Sequence, residues 1–200
     1  MISLKYSAGL ASTSFWFIES KKIAELILEG YSKKEILEMA LKDNIFQVER
    51  ETRIKQIVNG VYRRLNSFPK EILECFINVD VNSARVFVLI SILKNDKLFF
   101  EFMHEVFREH ILLGDLTLKT RDFDLFFDNK SYQSEIIDSW TDDTVARLKR
   151  GYRNMLSEAG VLNTSKKEKV ITIPFIDLKL QQLLVDNDYG PYLFAITCEK

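Results

Sequence analysis

Histidines, cysteines and paired carboxylates build most catalytic and metal sites, and in this chain their spacing does not bring them together. His104 and His110 lie six positions apart on one predicted helix. That turns them about 120° from each other and leaves no shared metal. Asp122 and Asp124, like Asp142 and Asp143, are pairs that acid–base or metal chemistry would use. The first pair falls on a short predicted helix, and the second follows Thr141 at a helix N-terminus, where the dipole accounts for acids. Cys75 and Cys198 are too few and too far apart for a zinc site or a disulfide framework, and read as reduced thiols. No G-x-x-x-x-G-K, G-x-G-x-x-G, G-x-S-x-G or H-E-x-x-H is present. No enzyme, cofactor or metal is expected.

The residues with collective chemistry are the cations. Residues 147–167 carry Arg147, Lys149, Arg150, Arg153, Lys166 and Lys167 against Glu158 alone, a local charge of +5. Residues 47–65 carry Arg50, Arg53, Lys55, Arg63 and Arg64 against Glu49 and Glu51, a charge of +3. Residues 95–143 hold twelve acids and five bases, a charge of −7. Arg53 and Arg64, eleven positions apart, fall within about 20° of one another on a helix, and Gln56 and Gly60 lie near that line. Arg147, Arg150 and Asn154 form one stripe of the later helix, and Lys149 and Arg153 form a second beside its apolar face. Clustered Arg and Lys bind phosphate by counterion release, and Arg and Asn can also read base edges. A solvated helix face that binds nothing carries the same residues.

The elements that would position these cations are mostly helices. Apolar spacing predicts them over residues 12–29, 47–65, 69–78, 81–94, 96–112, 120–127, 133–140, 141–159 and 177–185. A capping box at Ser32 and Glu35 starts a further short one. The run over 81–94 is apolar nearly all round and reads as the central buried helix. Two strands are expected, over 170–173 and 192–197, paired with each other as a ribbon. Each basic helix follows a short helix across a tight turn, as in a helix-turn-helix. The second is followed by a Lys-rich turn and strand signals, the order of a winged helix with its wing near Lys166, Lys167 and Lys169.

In 200 residues, 46% apolar and 28% charged, only seven Gly and three Pro occur, which favours helix over an all-β fold. The net charge of −1 excludes a uniformly basic nucleic-acid binder but leaves room for a locally basic one. The longest apolar stretch, over 86–93, is eight residues with Ser91 inside it, against about 20 for a membrane span. The apolar run 15–18 is too short for a secretory signal. A cytoplasmic monomer is expected.

An ordered set of residues resembles a known family. Tyr6-Ser7-Ala8-Gly9-Leu10-Ala11-Ser12 is the sharpest part. Ala24-Glu25-Leu26-Ile27-Leu28-Glu29-Gly30, Ile36, Asn44-Ile45, Leu93-Lys94, the stretch 102–109 and Leu113-Gly114 continue it. Trp140, Thr144, Glu158-Ala159-Gly160-Val161-Leu162 and Tyr192-Leu193-Phe194-Ala195-Ile196 extend it almost to the C-terminus. Together they resemble the BrxA family of bacteriophage-exclusion (BREX) systems. The resemblance implies a largely helical, non-enzymatic, cytoplasmic protein that binds DNA through helix-turn-helix elements and works beside other BREX subunits. The family's helices have also been likened to the NusB antitermination fold, which implies RNA.

The fold expected is mainly α, with helix-turn-helix units and a small C-terminal β ribbon. A boundary is expected near Gly114, between a helical unit 1–114 and a winged-helix-like unit 115–200. The function expected is sequence-independent binding of double-stranded DNA. Arg147, Arg150 and Asn154 would face the groove; Lys149, Arg153, Lys166 and Lys167 would hold phosphates; Arg53, Arg63 and Arg64 would add a second surface. Glu49 and Glu51 make that second surface the weaker one. The rival reading is a protein-interaction module, with the acidic stretch 95–143 and exposed Phe123, Phe126 and Phe127 docking a basic partner.

Overall fold

A computed structural model describes residues 5–164 and 169–198 of the chain. Twelve α-helices and one short ribbon are formed by the described residues. After a 3-10 turn at Gly9–Ser12, α1 (Phe17–Leu28), α2 (Lys33–Asp43), α3 (Glu51–Leu65), α4 (Lys70–Asn78) and α5 (Val81–Leu93) follow in order. Then come α6 (Lys97–Phe102), a π turn (Met103–Phe107) and α7 (Arg108–Leu113), which run on as one rod with no break between them. Next are α8 (Thr120–Gln133), α9 (Glu135–Asp138), α10 (Asp142–Glu158), strands β1 (Leu162–Asn163) and β2 (Val170–Ile171), α11 (Leu178–Asp186) and α12 (Gly190–Thr197).

Local chemistry sets several ends. Ser32 accepts from the Glu35 amide while Glu35 reaches back to the Ser32 amide, closing the capping box that starts α2. Asp80 accepts from the amides of Asn82 and Ser83 and starts α5, whose residues from Val86 to Leu93 are all buried. Thr141 accepts from the Thr144 amide and starts α10. Gly114 and Gly160 take positive φ after their helices, a conformation that glycine, without a Cβ, adopts freely.

Long-range packing overrides the local signal elsewhere. Helix α1 begins at Phe17 rather than near Ser12, because Phe15 and Trp16 turn inward and Trp16 takes a left-handed backbone, φ 58°. Helix α8 continues past Phe127 to Gln133, because Phe126, Phe127 and Lys130 all face the interior. Phe123, Phe126 and Phe127, expected at the surface, are buried. Phe102 stacks on Phe123 with centroids 4.7 Å apart, and Tyr152 of α10 stacks on Phe99 at 4.1 Å. Asp128 faces solvent and Asp122 and Asp124 lie at the rim, while the rings supply the core, as amphipathic spacing on α8 allows.

The ribbon differs from expectation in its partner. Residues 192–197 are not a strand: they lie in α12, which opens with Pro191 in its first turn and buries Leu193, Ala195, Ile196 and Thr197. Strand β2 pairs instead with β1, antiparallel, with Leu162 opposite Ile171 and Asn163 opposite Val170. Residues 116–118 flank its other edge. The Leu118 amide donates to the Lys169 carbonyl at 2.9 Å, and the Ile171 amide to the Leu116 carbonyl at 2.8 Å. One hydrophobic core runs from Leu10 to Ile196 and takes residues from both sides of Gly114. Helix α11 packs on α4, and α12 packs on α5, the π turn and α7.

Candidate nucleic-acid interface

Helix α10 follows the four-residue α9 across the turn Ser139-Trp140-Thr141 and leads directly into β1. Its apolar stripe, Leu148, Tyr152, Met155 and Leu156, is buried. That fixes the opposite face as the outer one. Arg147, Arg150 and Asn154 are exposed there and form one ridge, as their spacing predicts. The ridge is not wholly free. Arg147 meets Asp143 at 2.7 Å across one helical turn, with both side chains more than half exposed. Such a surface pair contributes only about 0.3–0.5 kcal/mol and yields readily to a competing phosphate.

The second stripe of α10 is more constrained. Lys149 is mostly buried and pairs with Asp124 of α8 at 2.8 Å. Arg153 donates from Nε to the Lys149 carbonyl and lies over the Phe123 ring. Both serve the packing of α8 on α10, which the charge count alone did not reveal. Lys166 and Lys167 lie outside the described residues. Burial and the nearby Arg153 charge push the Lys169 amine below the usual lysine range.

On α3, Arg53, Gln56, Gly60 and Arg64 do lie along one line, but its main occupant is Trp16. Both guanidinium groups stack on the indole, at 5.1 Å and 5.2 Å from its centroid. A Cβ on Gly60 would come within 2.7 Å of the ring, so glycine is what lets the indole seat there. Arg64 is only 2% exposed. It donates to the Phe15 and Ser14 carbonyls at 3.0 Å and 3.1 Å, and burial pushes its pKa down to about 10. It is a structural cation, and its expected place on a phosphate surface is corrected accordingly. Arg53 is half-buried and donates to the Ser14 hydroxyl at 2.9 Å. Arg63 is exposed and borders a shallow cleft of about 330 Å³ with Lys55, Asn59, Gly9 and Thr13.

The two basic helices are joined by the segment 9–16. The 3-10 turn packs on α10, with the Leu10 carbonyl 3.4 Å from where a Cβ on Gly151 would lie. Four residues later Ser14 holds Arg53. A chain of that length spans at most about 14 Å, so, with the two contacts and the intervening carbonyl and Ser14 side chain, Gly151 of α10 and the Arg53 head group are within about 25 Å of each other. Arg147 and Asn154 lie within about 60° of Gly151 around α10. Ser14 and Trp16, the residues that bring this about, carry no charge, and no charge-based reading would have found them.

Among the described residues, no three His, Cys, Asp or Glu side chains come together as a metal site would require. Both cysteines are free. No helix among the described residues is long and apolar enough to cross a membrane.

The fold and the cationic ridge define a helical protein with a short antiparallel ribbon behind a basic helix. A crystal structure of an uncharacterized protein from Magnetospirillum magneticum shares that fold, with a TM-score of 0.82 over 98% of this chain and all of that one, at 20% identity. A curated relative, the BREX protein BrxA of Bacillus cereus (strain H3081.97), is 39% identical over 194 residues, covering 97% of each chain. The BrxA family model matches residues 4–188, and the chain belongs to that family.

Proposed function

We propose that this BrxA-family protein binds double-stranded DNA without sequence preference, as a non-enzymatic component of a BREX phage-defence system. The observation that carries the reading is the outward ridge of Arg147, Arg150 and Asn154 on α10. That helix has 17 residues, a length of about 26 Å. It is preceded by α8 and α9 and followed by the ribbon, in the order of a winged helix, whose recognition helix enters the major groove. Asp142 and Asp143 occupy its first turn, so the phosphate contacts lie from Arg147 onward. Arg53 and Arg63 supply a second contact, reached through segment 9–16. Gly151 of α10 and the Arg53 head group, within about 25 Å of each other, fit along less than one helical repeat of about 34 Å.

The test is anisotropy of a labelled duplex of about 30 base pairs, three helical repeats. Arg150→Ala and Arg147→Ala are each expected to weaken binding equally across unrelated sequences. Tighter binding of a structured RNA competitor would transfer the reading to RNA. Unchanged duplex binding by both variants would remove it.

A further inference from the structure

We propose that the groove between α7 and α8 is a docking site for a basic, amphipathic helix of a partner protein. The groove holds about 470 Å³. Leu113 and Leu125 form its apolar lips, 76% and 47% exposed, with Val106 and the buried Phe126 beneath them. Leu112, 58% exposed, extends the patch along α7. Exposed leucines gathered on one groove are unlike the single apolar residues scattered over an ordinary surface. Glu105, Glu109, Asp115 and Asp122 also line it, and no Lys or Arg does.

The carboxylates are held in place. The amine of buried Lys130 lies 2.7 Å from both Glu101 and Glu105, and Tyr6 donates to Glu101 as well. His110 sits 3.4 Å from Asp122 and 3.9 Å from Asp115. Glu109 has no ion-pair partner among the described residues. Glu105 and Val106 belong to the π turn, a rare interruption that recurs at functional sites.

Charge selects the occupant. An acidic wall repels nucleic acid, and Arg147, Arg150 and Asn154 of the cationic ridge do not line the groove. The α10 ridge of a second copy fits poorly, because it offers cations without large apolar anchors. Leucines at i, i+3 and i+4 with Lys or Arg flanking them match both the lips and the wall, the helix-in-groove mode of recognition.

The probe is a synthetic helix of leucines on one face and lysines on the other, titrated against the full chain by anisotropy. Its control keeps every lysine and replaces the leucines by serine. The leucine peptide is expected to bind, and the serine control to bind at least about tenfold more weakly. Leu113→Ser and Glu109→Lys, both at exposed positions and each checked for an unchanged melting temperature, are each expected to weaken the leucine peptide about tenfold. Arg150→Ala should leave it unaffected. Equal binding of both peptides, indifference to Leu113→Ser and Glu109→Lys, or no binding of the leucine peptide at about 1 mM would each overturn the proposal. None of these outcomes bears on duplex binding.

Discussion

The salt dependence of duplex binding tests the cationic surface quantitatively. Of the ten side chains singled out from sequence, Arg64 is buried, Lys149 is paired with Asp124, Arg153 is folded over Phe123 and Asn154 is neutral. Lys166 and Lys167 are outside the described residues. Arg53, Arg63, Arg147 and Arg150 remain. At about 0.9 per phosphate contact, four contacts predict a log–log slope near −3.6. Raising salt from about 50 mM to about 200 mM should then weaken binding about 150-fold. The triple variant Arg63→Ala, Arg147→Ala, Arg150→Ala removes three of the four and should flatten the slope to about −0.9, leaving a loss of only about 3.5-fold over the same range. All three positions are exposed, so melting should change little. Fluorescence anisotropy at a series of salt concentrations measures both slopes. A triple variant that remains folded and keeps the parental slope would refute the assignment of these residues to phosphate.

Three further outcomes follow from individual contacts. Asp143→Asn releases Arg147 from its 2.7 Å pair and should tighten duplex binding about two- to fivefold at about 0.1 M salt, read in the same assay. Gly60→Ala should lower the melting temperature despite the better helix propensity of alanine. The new Cβ meets the Trp16 ring at 2.7 Å, and overpacking costs about 1–3 kcal/mol against a gain of at most about 1. Burial raises the Asp96 carboxyl from 3.8 to about 6. The folded chain therefore holds that proton more tightly than the unfolded one. The resulting stability is complete below about pH 4 and is lost as pH rises through about 6, a difference of at most about 3 kcal/mol. Asp96→Asn keeps an acceptor for the Phe99 amide, now 2.9 Å from the carboxylate, and should flatten the urea midpoint between about pH 4 and about pH 6. Parallel pH profiles for the two proteins would contradict that account.

The helical class, the caps at Ser32 and Thr141, and the outer stripe of α10 were all readable from residue order. Each is governed by contacts within a few positions along the chain. Features depending on distant contacts were not. Residues 192–197 carry aromatic and β-branched side chains that suit a strand, yet burial on several sides by α5, α7 and α11 is satisfied by a helix that bonds its own backbone. Strand β1 is two residues long and has no periodicity to detect. The alignment of Arg53 with Arg64 is borne out as geometry, but the burial of Arg64 was not legible, because the Trp16 that fills the line lies 37 positions earlier than Arg53. Phe123, Phe126 and Phe127 stand among acids in a segment that reads as surface by charge, while their helical spacing aims them inward.

The chain's two tryptophans stand one at each cationic element: Trp16 beneath Arg53 and Arg64, and Trp140 in the turn that launches α10. The protein thus carries its own optical probes, unlabelled and spatially resolved. A polyanion that draws the Arg53 head group off the indole face would alter the emission of Trp16, whereas one that engages only α10 would be sensed at Trp140. Single-tryptophan versions would report which helix is occupied first.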